Sequence, residues 1–392
     1  MSVALDVPGL SPDEAAHSER LAERLREVIS AAGGWISFAQ FMEMALYEPG
    51  LGYYSAGARK LGPAGDFVTA PEVAPVFSRC VAAQCAQVLE ALGGGDVLEL
   101  GAGSGVMAAG ILAELERRGR LPGRYQILDV SADLRSRQRD TLAQAVPHLL
   151  DRVEWLDRLP EGFEGVIVAN EVLDALPVDR FVVRGGEVNA LGVTWHFDRF
   201  EASEARATAP LRDRVRSIEA DIGGALPDAY ASEVNRDLGP WLAALASATR
   251  RGVLLLVDYG LPRREFYAAE RRTGTLLCHF RHRFHDDPFV RLGLQDITAW
   301  VDFTAVTEAA QAAGLELAGY TTQAHFLIGC GIGDYVADVG DLDVVQRVNL
   351  SRQVMVLTLP GEMGERFKAI AFAKDYPGEL RGFAVRDLRH TL

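Results

Sequence analysis

The sequence predicts an α/β fold: a largely parallel sheet with helices on both faces, preceded by a helical N-terminal extension and interrupted by inserted segments. Two observations carry that prediction. From Asp96 onward, short apolar runs alternate with helical patterns, the arrangement expected of parallel strands joined by helical crossovers. The first run, Asp96-Val97-Leu98-Glu99-Leu100, breaks into Gly101-Ala102-Gly103-Ser104-Gly105 and leads straight into a helix-like segment. A buried strand that must turn sharply beneath a ligand reads this way. Its glycines allow positive φ and a close backbone approach, and the helix N-terminus offers unpaired N–H groups.

Taken in order, Pro12 to Ala32 predicts a helix with a polar outer face. Ser37 with Gln40 three residues later suggests a capping box opening a second helix, Phe38 to Tyr47, which Glu48-Pro49-Gly50-Leu51-Gly52 ends as a turn. Tyr53 to Pro71 is a long stretch rich in glycine and aromatics, a length of loop more often functional than idle. A helix over Val73–Leu92 follows. Strands are expected at Val97–Leu100, Tyr125–Val130, Val153–Trp155, Val166–Ala169 and Val253–Val257, with helices at Val106–Arg118 and Ala132–Ala145. Arg180–Val183 and Glu187–Phe197 predict a hairpin around Gly185-Gly186. Glu201 to Leu238 is polar and weakly patterned and predicts an insertion or small subdomain. Leu261 to Val301 is a second interruption, carrying Arg263, Arg264, Arg271, Arg272, Arg281, Arg283 and Arg291 in an otherwise acidic chain. Then come a helix at Phe303–Ala313, a strand at Leu315–Thr321, helices at Gln323–Cys330 and Val339–Arg352, and late strands at Val354–Thr358 and Lys368–Ala373. The expected organisation is therefore a helical region over 1–92, containing a functional loop, and a sheet domain over 93–392 with insertions at about 179–240 and 261–302.

With 392 residues, 48% hydrophobic and 24% charged, the chain can bury a large core and reads as ordinary globular protein. A net charge of −14 argues against bulk binding to nucleic acid or to an anionic membrane. Cys80, Cys85, Cys278 and Cys330 form no C-x-x-C pair, so buried free thiols in a reducing compartment are expected. The N-terminus carries acidic residues from Asp6 and lacks the features of a secretory or import presequence. No run of about 18 apolar residues predicts a membrane span. Bacterial cytoplasm is the expected location.

Three nucleotide-binding patterns compete for the glycine loop. A P-loop needs a Gly-Lys-Ser/Thr ending, which the chain lacks. A dinucleotide fold needs G-x-G-x-x-G/A, and its third position falls on Val106, too large for close helix–strand packing. The third pattern, E-x-G-x-G-x-G, is met by Glu99, Gly101, Gly103 and Gly105 and is the signature of Rossmann-like, class I S-adenosylmethionine (SAM) methyltransferases. SAM has no pyrophosphate, so such a loop need only pass beneath an amino-acid moiety and a ribose. Glu99 is expected to take the ammonium group, directly or through water. Asp129, 24 residues past Gly105 at the next strand end, is expected to accept the ribose hydroxyls.

The fourth strand runs into Ala169-Asn170-Glu171-Val172-Leu173-Asp174-Ala175-Leu176-Pro177. Ligands of open α/β sheets sit beyond the carboxyl ends of the strands, which places Asn170 and Glu171 toward the methyl donor; helix capping by Asn170 and Asp174 is the competing role. Asp258-Tyr259-Gly260 brings another carboxylate to the same edge. The spacing of His279, His282 and His285 does not match H-E-x-x-H, and methyl transfer from a sulfonium needs no metal. No metal site is expected.

Several blocks together resemble the MidA-like methyltransferases, which include the mitochondrial complex I assembly methyltransferase. They are Leu51-Gly52-Tyr53-Tyr54, Gly65-Asp66-Phe67-Val68-Thr69-Ala70-Pro71-Glu72, Asn170 to Pro177, Asp258-Tyr259-Gly260, His285-Asp286-Asp287-Pro288 and Gln295-Asp296-Ile297-Thr298, with Val301-Asp302-Phe303 just after. The resemblance implies a SAM-dependent protein-arginine methyltransferase whose substrate is a protein, such as a respiratory complex I subunit; a homodimer is compatible with it. It adds Asp66 and Asn170 to the cofactor-binding set of Glu99, Gly101, Gly103, Gly105 and Asp129. It places His285 beside Glu171, Asp174, Asp258 and Asn170 as catalytic candidates. The family more often carries Glu where Asp129 stands. Methylation of a small molecule or another residue type is the rival activity, and a SAM-binding assembly factor without turnover is the rival class. A nucleic-acid methyltransferase is disfavoured, because Asn170-Glu171-Val172-Leu173 has no ring to stack a flipped base.

Overall fold

The computed structural model describes residues 9–56, 69–337 and 343–392. The chain divides into two compact units. One comprises Val68–Asp174, Asp237–Phe266 and Trp300–Leu392, and the other Met1–Phe67, Ala175–Arg236 and Tyr267–Ala299.

The first unit is built on a twisted sheet. Its seven main strands are β1 (Asp96–Leu100), β2 (Tyr125–Leu128), β3 (Val153–Leu156), β4 (Phe163–Asn170), β5 (Thr249–Leu261), β6 (Glu316–Thr322) and β7 (Phe367–Lys374). Their spatial order is 6-7-5-4-1-2-3. Strands 5-4-1-2-3 run parallel, and β7 is antiparallel to both β5 and β6. This is the Rossmann-like class I sheet. Burial on both faces explains its near-continuous apolar runs: Val97, Leu98, Val166, Ile167 and Val253 to Val257 are all buried. The strand order reverses between β1 and β4, the kind of place where open α/β sheets hold their ligands.

Helices Pro75–Leu92 and Val106–Arg117 contribute to one apolar core with this sheet, including Phe77, Val81, Ile111, Leu112 and Leu115. The division at residue 92 read from the sequence thus differs from the compact units: the helix before it packs with the sheet. That helix is also shorter than expected. Ala74, with extended backbone (φ −155°), separates it from a single turn at Ala70–Val73.

The second unit gathers the N-terminal helices Pro12–Ala31 and Phe38–Tyr47 with the two inserted segments. Ser37 accepts a bond from the Gln40 amide at 3.2 Å, and a reciprocal capping box forms at Ser11 and Glu14. The Gly185-Gly186 hairpin is present, with both glycines at positive φ. The stretch after Glu201, weakly patterned in sequence, is ordered as a strand (Arg199–Arg206), a helix (Ala209–Ile222) and a strand (Ala231–Val234). Within the second inserted segment, Leu277–Phe280, Arg283–His285 and Asp296–Thr298 form a three-stranded sheet. Leu21, Leu25, Phe41 and Ile297 belong to this unit's own core.

One expected strand is overturned. Val354–Thr358 is the last part of a helix, Val344–Thr358, capped by reciprocal bonds between Asp343 and Gln346. Its valine-rich run imitates a strand, but only Leu357 of the helix is fully buried, so no period-2 face exists to pair. The start expected at Val339 lies outside the described residues.

Candidate functional site

The glycine loop leaves β1 in a left-handed conformation three times: φ is +63° at Gly101, +54° at Gly103 and +86° at Gly105. Two of these positions have no room for a side chain. A Cβ on Gly101 would lie 3.0 Å from Val172 Cγ2, and one on Gly105 would lie 2.9 Å from Gln138 Cα. The third glycine is therefore required by contact with the helix Ala132–Ala145. Helix Val106–Arg117 starts directly after it without a side-chain cap, so its first amides remain turned toward the loop. Ser104 donates its hydroxyl to Glu72, on the turn Ala70–Val73.

Glu99, near the end of β1, is fully buried. Its Oε2 accepts the Tyr125 hydroxyl at 2.5 Å, and its Oε1 has no hydrogen-bond partner among the described residues. Burial pushes this carboxyl up to about 7; the Tyr125 bond opposes the rise and Asp129 adds to it. A buried carboxylate oxygen without a partner is costly, and an ammonium group would satisfy it.

Asp129 follows β2 directly. Its Oδ1 accepts the Ser131 amide at 2.9 Å and its Oδ2 the Gln138 side-chain amide at 2.8 Å. Burial raises its carboxyl, and these two donors hold the rise back. Arg135 binds the Asp129 carbonyl (2.7 Å) and the Leu156 carbonyl (2.6 Å), tying together the ends of β2 and β3. Val130 beside it is 79% exposed, an apolar surface next to the acid.

At the ends of β4 and β5 the chain gathers Asn170, Glu171, Asp174 and Asp258. Glu171 has φ +53°, uncommon for a residue with a side chain. Its amide donates to the Val257 carbonyl at 2.9 Å, and its Oε1 accepts the Asn170 side-chain amide (3.0 Å) and the Ala70 backbone amide (3.3 Å). Asn170 Oδ1 is buried without a partner among the described residues. Asp258 is 1% exposed, and its Oδ2 accepts the amides of Val172 (3.2 Å), Leu173 (2.9 Å) and Asp174 (3.3 Å), while Oδ1 accepts that of Tyr259 (2.8 Å). Burial first, then Asp174 and Glu171, push its carboxyl well above the usual range; the amides of Tyr259 and Asp174 work against this. Four amide donors make Asp258 the organiser of the turn after β4. Glu171 is the carboxylate of the group held at the strand end with partial exposure.

His285 lies in the other unit, on the strand Arg283–His285, with Nε2 3.4 Å from Arg291. Burial, followed by Arg291, lowers its pKa. His279 is pushed down to about 4, chiefly by burial. The three-and-three histidine spacing is that of a tight hairpin, since Arg281 and His282 form its turn at positive φ. Asp66 lies outside the described residues. Two contributors carry little signal in the sequence: Gln138, marked only by its place on the helix after Asp129, and Glu72, one of two acids in the stretch Gly65 to Glu72. All four cysteines are free and buried. Among the described residues, no helix is long and apolar enough to cross a membrane.

Comparison with known proteins agrees with this geometry. Residues 80–321 match a family model described as "Putative S-adenosyl-L-methionine-dependent methyltransferase". A crystal structure of a Burkholderia thailandensis superfamily member, bound to S-adenosyl-homocysteine, shares 43% identity and a TM-score of 0.94 over 99% of this chain and 100% of that one. Among curated relatives, the mitochondrial protein arginine methyltransferase NDUFAF7 homolog of Drosophila melanogaster is 27% identical over 94% of this chain and 87% of its own. Its counterpart in Mus musculus is 28% identical over 92% and 86%. The glycine loop, the strand order and these matches identify S-adenosyl-L-methionine as the cofactor. The chain belongs to the MidA-like family of SAM-dependent methyltransferases.

Proposed function

We propose that this methyltransferase acts on arginine side chains of a protein substrate, with a subunit of a respiratory NADH dehydrogenase as the model acceptor. The observation that supports the reading most directly is Glu171, held at positive φ at the carboxyl end of β4. Strained backbone of this kind costs roughly 1–3 kcal/mol and persists where function needs it. The two relatives from Drosophila melanogaster and Mus musculus, both protein arginine methyltransferases, point the same way.

In this reading Glu99 takes the ammonium of SAM, the Gly101–Gly105 backbone passes beneath its amino-acid moiety, and Asp129 accepts the ribose hydroxyls. The apolar face of Val130 lies under the base, and Asn170 Oδ1 is a further acceptor at the strand end. When bound, SAM supplies an electrophilic methyl carbon on a sulfonium. Arginine needs help to meet it, because a guanidinium has a pKa above 12 and no free lone pair. Glu171 orients the guanidinium fork and holds positive charge on the nitrogens that do not react. One nitrogen then bonds the methyl carbon as the carbon–sulfur bond breaks, and the proton it carried leaves to solvent. Asp258 positions the Val172–Asp174 turn, and Asp174 and Asp258 are the next candidates after Glu171 for holding the guanidinium.

Incubation with isotope-labelled SAM and a bacterial lysate, followed by mass spectrometry, tests the proposal. Label on arginine of a specific protein supports it; label confined to small molecules, or binding without any transfer, overturns it. Glu171→Gln should keep SAM affinity and lower kcat by about a hundredfold or more, in the range of a lost transition-state contact. Unchanged turnover would remove Glu171 from the chemistry.

A further inference from the structure

We propose that Gln138 is a positioning residue that locks the glycine loop to the ribose-binding acid, so that the two halves of the SAM site form one unit. The proposal rests on the assignment of Asp129 to the ribose.

Gln138 sits on the helix Ala132–Ala145 and is fully buried. Its Nε2 donates to two acceptors from different crossovers: the Gly103 carbonyl at 3.1 Å and Asp129 Oδ2 at 2.8 Å. Its Oε1 accepts the indole N–H of Trp155, on β3, at 3.0 Å. The three partners fix the amide orientation. A flipped amide would set an oxygen against a carboxylate and a carbonyl, and an NH₂ against an N–H donor. One level down, Gly105 comes so close to the Gln138 Cα that a Cβ would be 2.9 Å from it. The loop is thus seated on the backbone of Gln138 and pinned by its side chain.

Each bond constrains a different part of the site. The bond to Gly103 fixes the middle of the loop, where positive φ leaves the backbone without a side chain to anchor it. The bond to Asp129 fixes which oxygen faces the helix and which lone pairs stay open to a ligand hydroxyl. Trp155 stops the amide from rotating, and Arg139 stacks on that indole at 4.4 Å. Methionine at 138 would fill the same space and give neither donor. Glutamate would keep the acceptor for Trp155 but set a like charge against Asp129 and an acceptor against the Gly103 carbonyl.

The experiment is calorimetric titration of the full-length protein with S-adenosyl-homocysteine, alongside thermal melting without ligand, for Gln138→Met, Asp129→Asn and the double variant. Gln138→Met should weaken binding roughly tenfold or more, as for a lost bond to a charged group. It should also move the acid limb of binding to higher pH, because Asp129 loses a donor that favours its ionised form. In the double variant the Gln138 effect should shrink to about twofold or less. Additive losses with no pH shift would show a packing role only and overturn the inference. Should Gln138→Met fail to fold, Trp155→Phe, which removes only the indole donor, should weaken binding roughly threefold; unchanged affinity there overturns the inference too. If Asp129→Asn itself binds normally, the ribose assignment falls first, and the two failures are told apart.

Discussion

Glu99→Gln should make the ligand-free protein more stable and the cofactor bind more weakly, and both effects should depend on pH. The Glu99 carboxyl rises from an ordinary 4.5 to about 7 in the folded chain, burial being the main cause. The folded chain therefore binds more protons than the unfolded one between these values, so stability falls as pH rises from about 4.5 to 7 and levels off above. At 1.36 kcal/mol for each tenfold step, the accumulated cost is about 3 kcal/mol. Glutamine keeps the shape and still offers an oxygen to the Tyr125 hydroxyl, without a charge to desolvate. Apo Glu99→Gln should then gain up to about 3 kcal/mol at pH 8 and almost nothing at pH 4. Binding runs the other way. An ammonium pairs with the ionised form, so wild-type affinity for S-adenosyl-homocysteine should strengthen up to about tenfold between pH 6 and 7. It should then hold until the ligand's own ammonium loses its proton at higher pH. Below pH 7 each binding event should release close to one proton, measurable by calorimetry in buffers of different ionisation enthalpy. Glu99→Gln should lose that release and bind roughly ten- to a hundredfold more weakly at pH 7.5. A flat wild-type affinity between pH 5.5 and 7, or a variant with unchanged affinity, would refute the assignment of Glu99 to the ammonium.

Gly105→Ala should cost at least about 1–2 kcal/mol from its left-handed backbone alone. The contact with Gln138 Cα adds to this, and melting and ligand affinity should fall together. Asp258→Ala should strip four amides of their acceptor, costing about 3 kcal/mol or more, with hydrogen exchange accelerating at Val172, Leu173 and Asp174. Asp258→Asn, which keeps an acceptor oxygen, should lose much less.

The sheet was legible because its strands are buried on both faces, so each reads as an apolar run with a polar residue at its end: Glu99 before the glycines, Asp129 after β2, Asn170 closing β4. The spacing of Gly101, Gly103 and Gly105 likewise carries its reason locally, since φ is positive at all three. What stayed hidden depends on partners distant in sequence. Nothing near Asp258 reveals that its carboxylate binds the amides of residues 172–174, more than eighty positions earlier. Gln138 looks like any polar residue of a helix until Trp155, Gly103 and Asp129 surround it. The inserted parts of the second unit beyond the Gly185-Gly186 hairpin were hidden for a different reason. Their strands, such as Arg199–Arg206, alternate exposed charges with half-buried residues, and their partners lie in separate segments of the chain. Val354–Thr358 misled because β-branched residues in a helix with one buried position carry a strand's composition without its periodicity.

Burial raises the carboxyls of Glu99, Asp129 and Asp258, yet the three differ in how completely the protein satisfies them. Asp258 has four backbone donors, Asp129 has one backbone and one side-chain donor, and Glu99 has a single tyrosine with one oxygen left over. A buried carboxylate short of donors costs free energy in the ligand-free state, and such a cost is retained where a bound state returns it. The deficit therefore ranks the acids by role. Asp258, fully supplied from within, shapes the turn that carries Glu171. Asp129, supplied on the helix side, keeps lone pairs that the proposed assignment gives to the ribose hydroxyls. Glu99 has the largest deficit and the least exposure, and in the proposed assignment the ammonium of the ligand makes it good. SAM carries an ammonium on its amino-acid moiety and two hydroxyls on its ribose, and the proposed assignment meets them with the acids of β1 and β2 in that order.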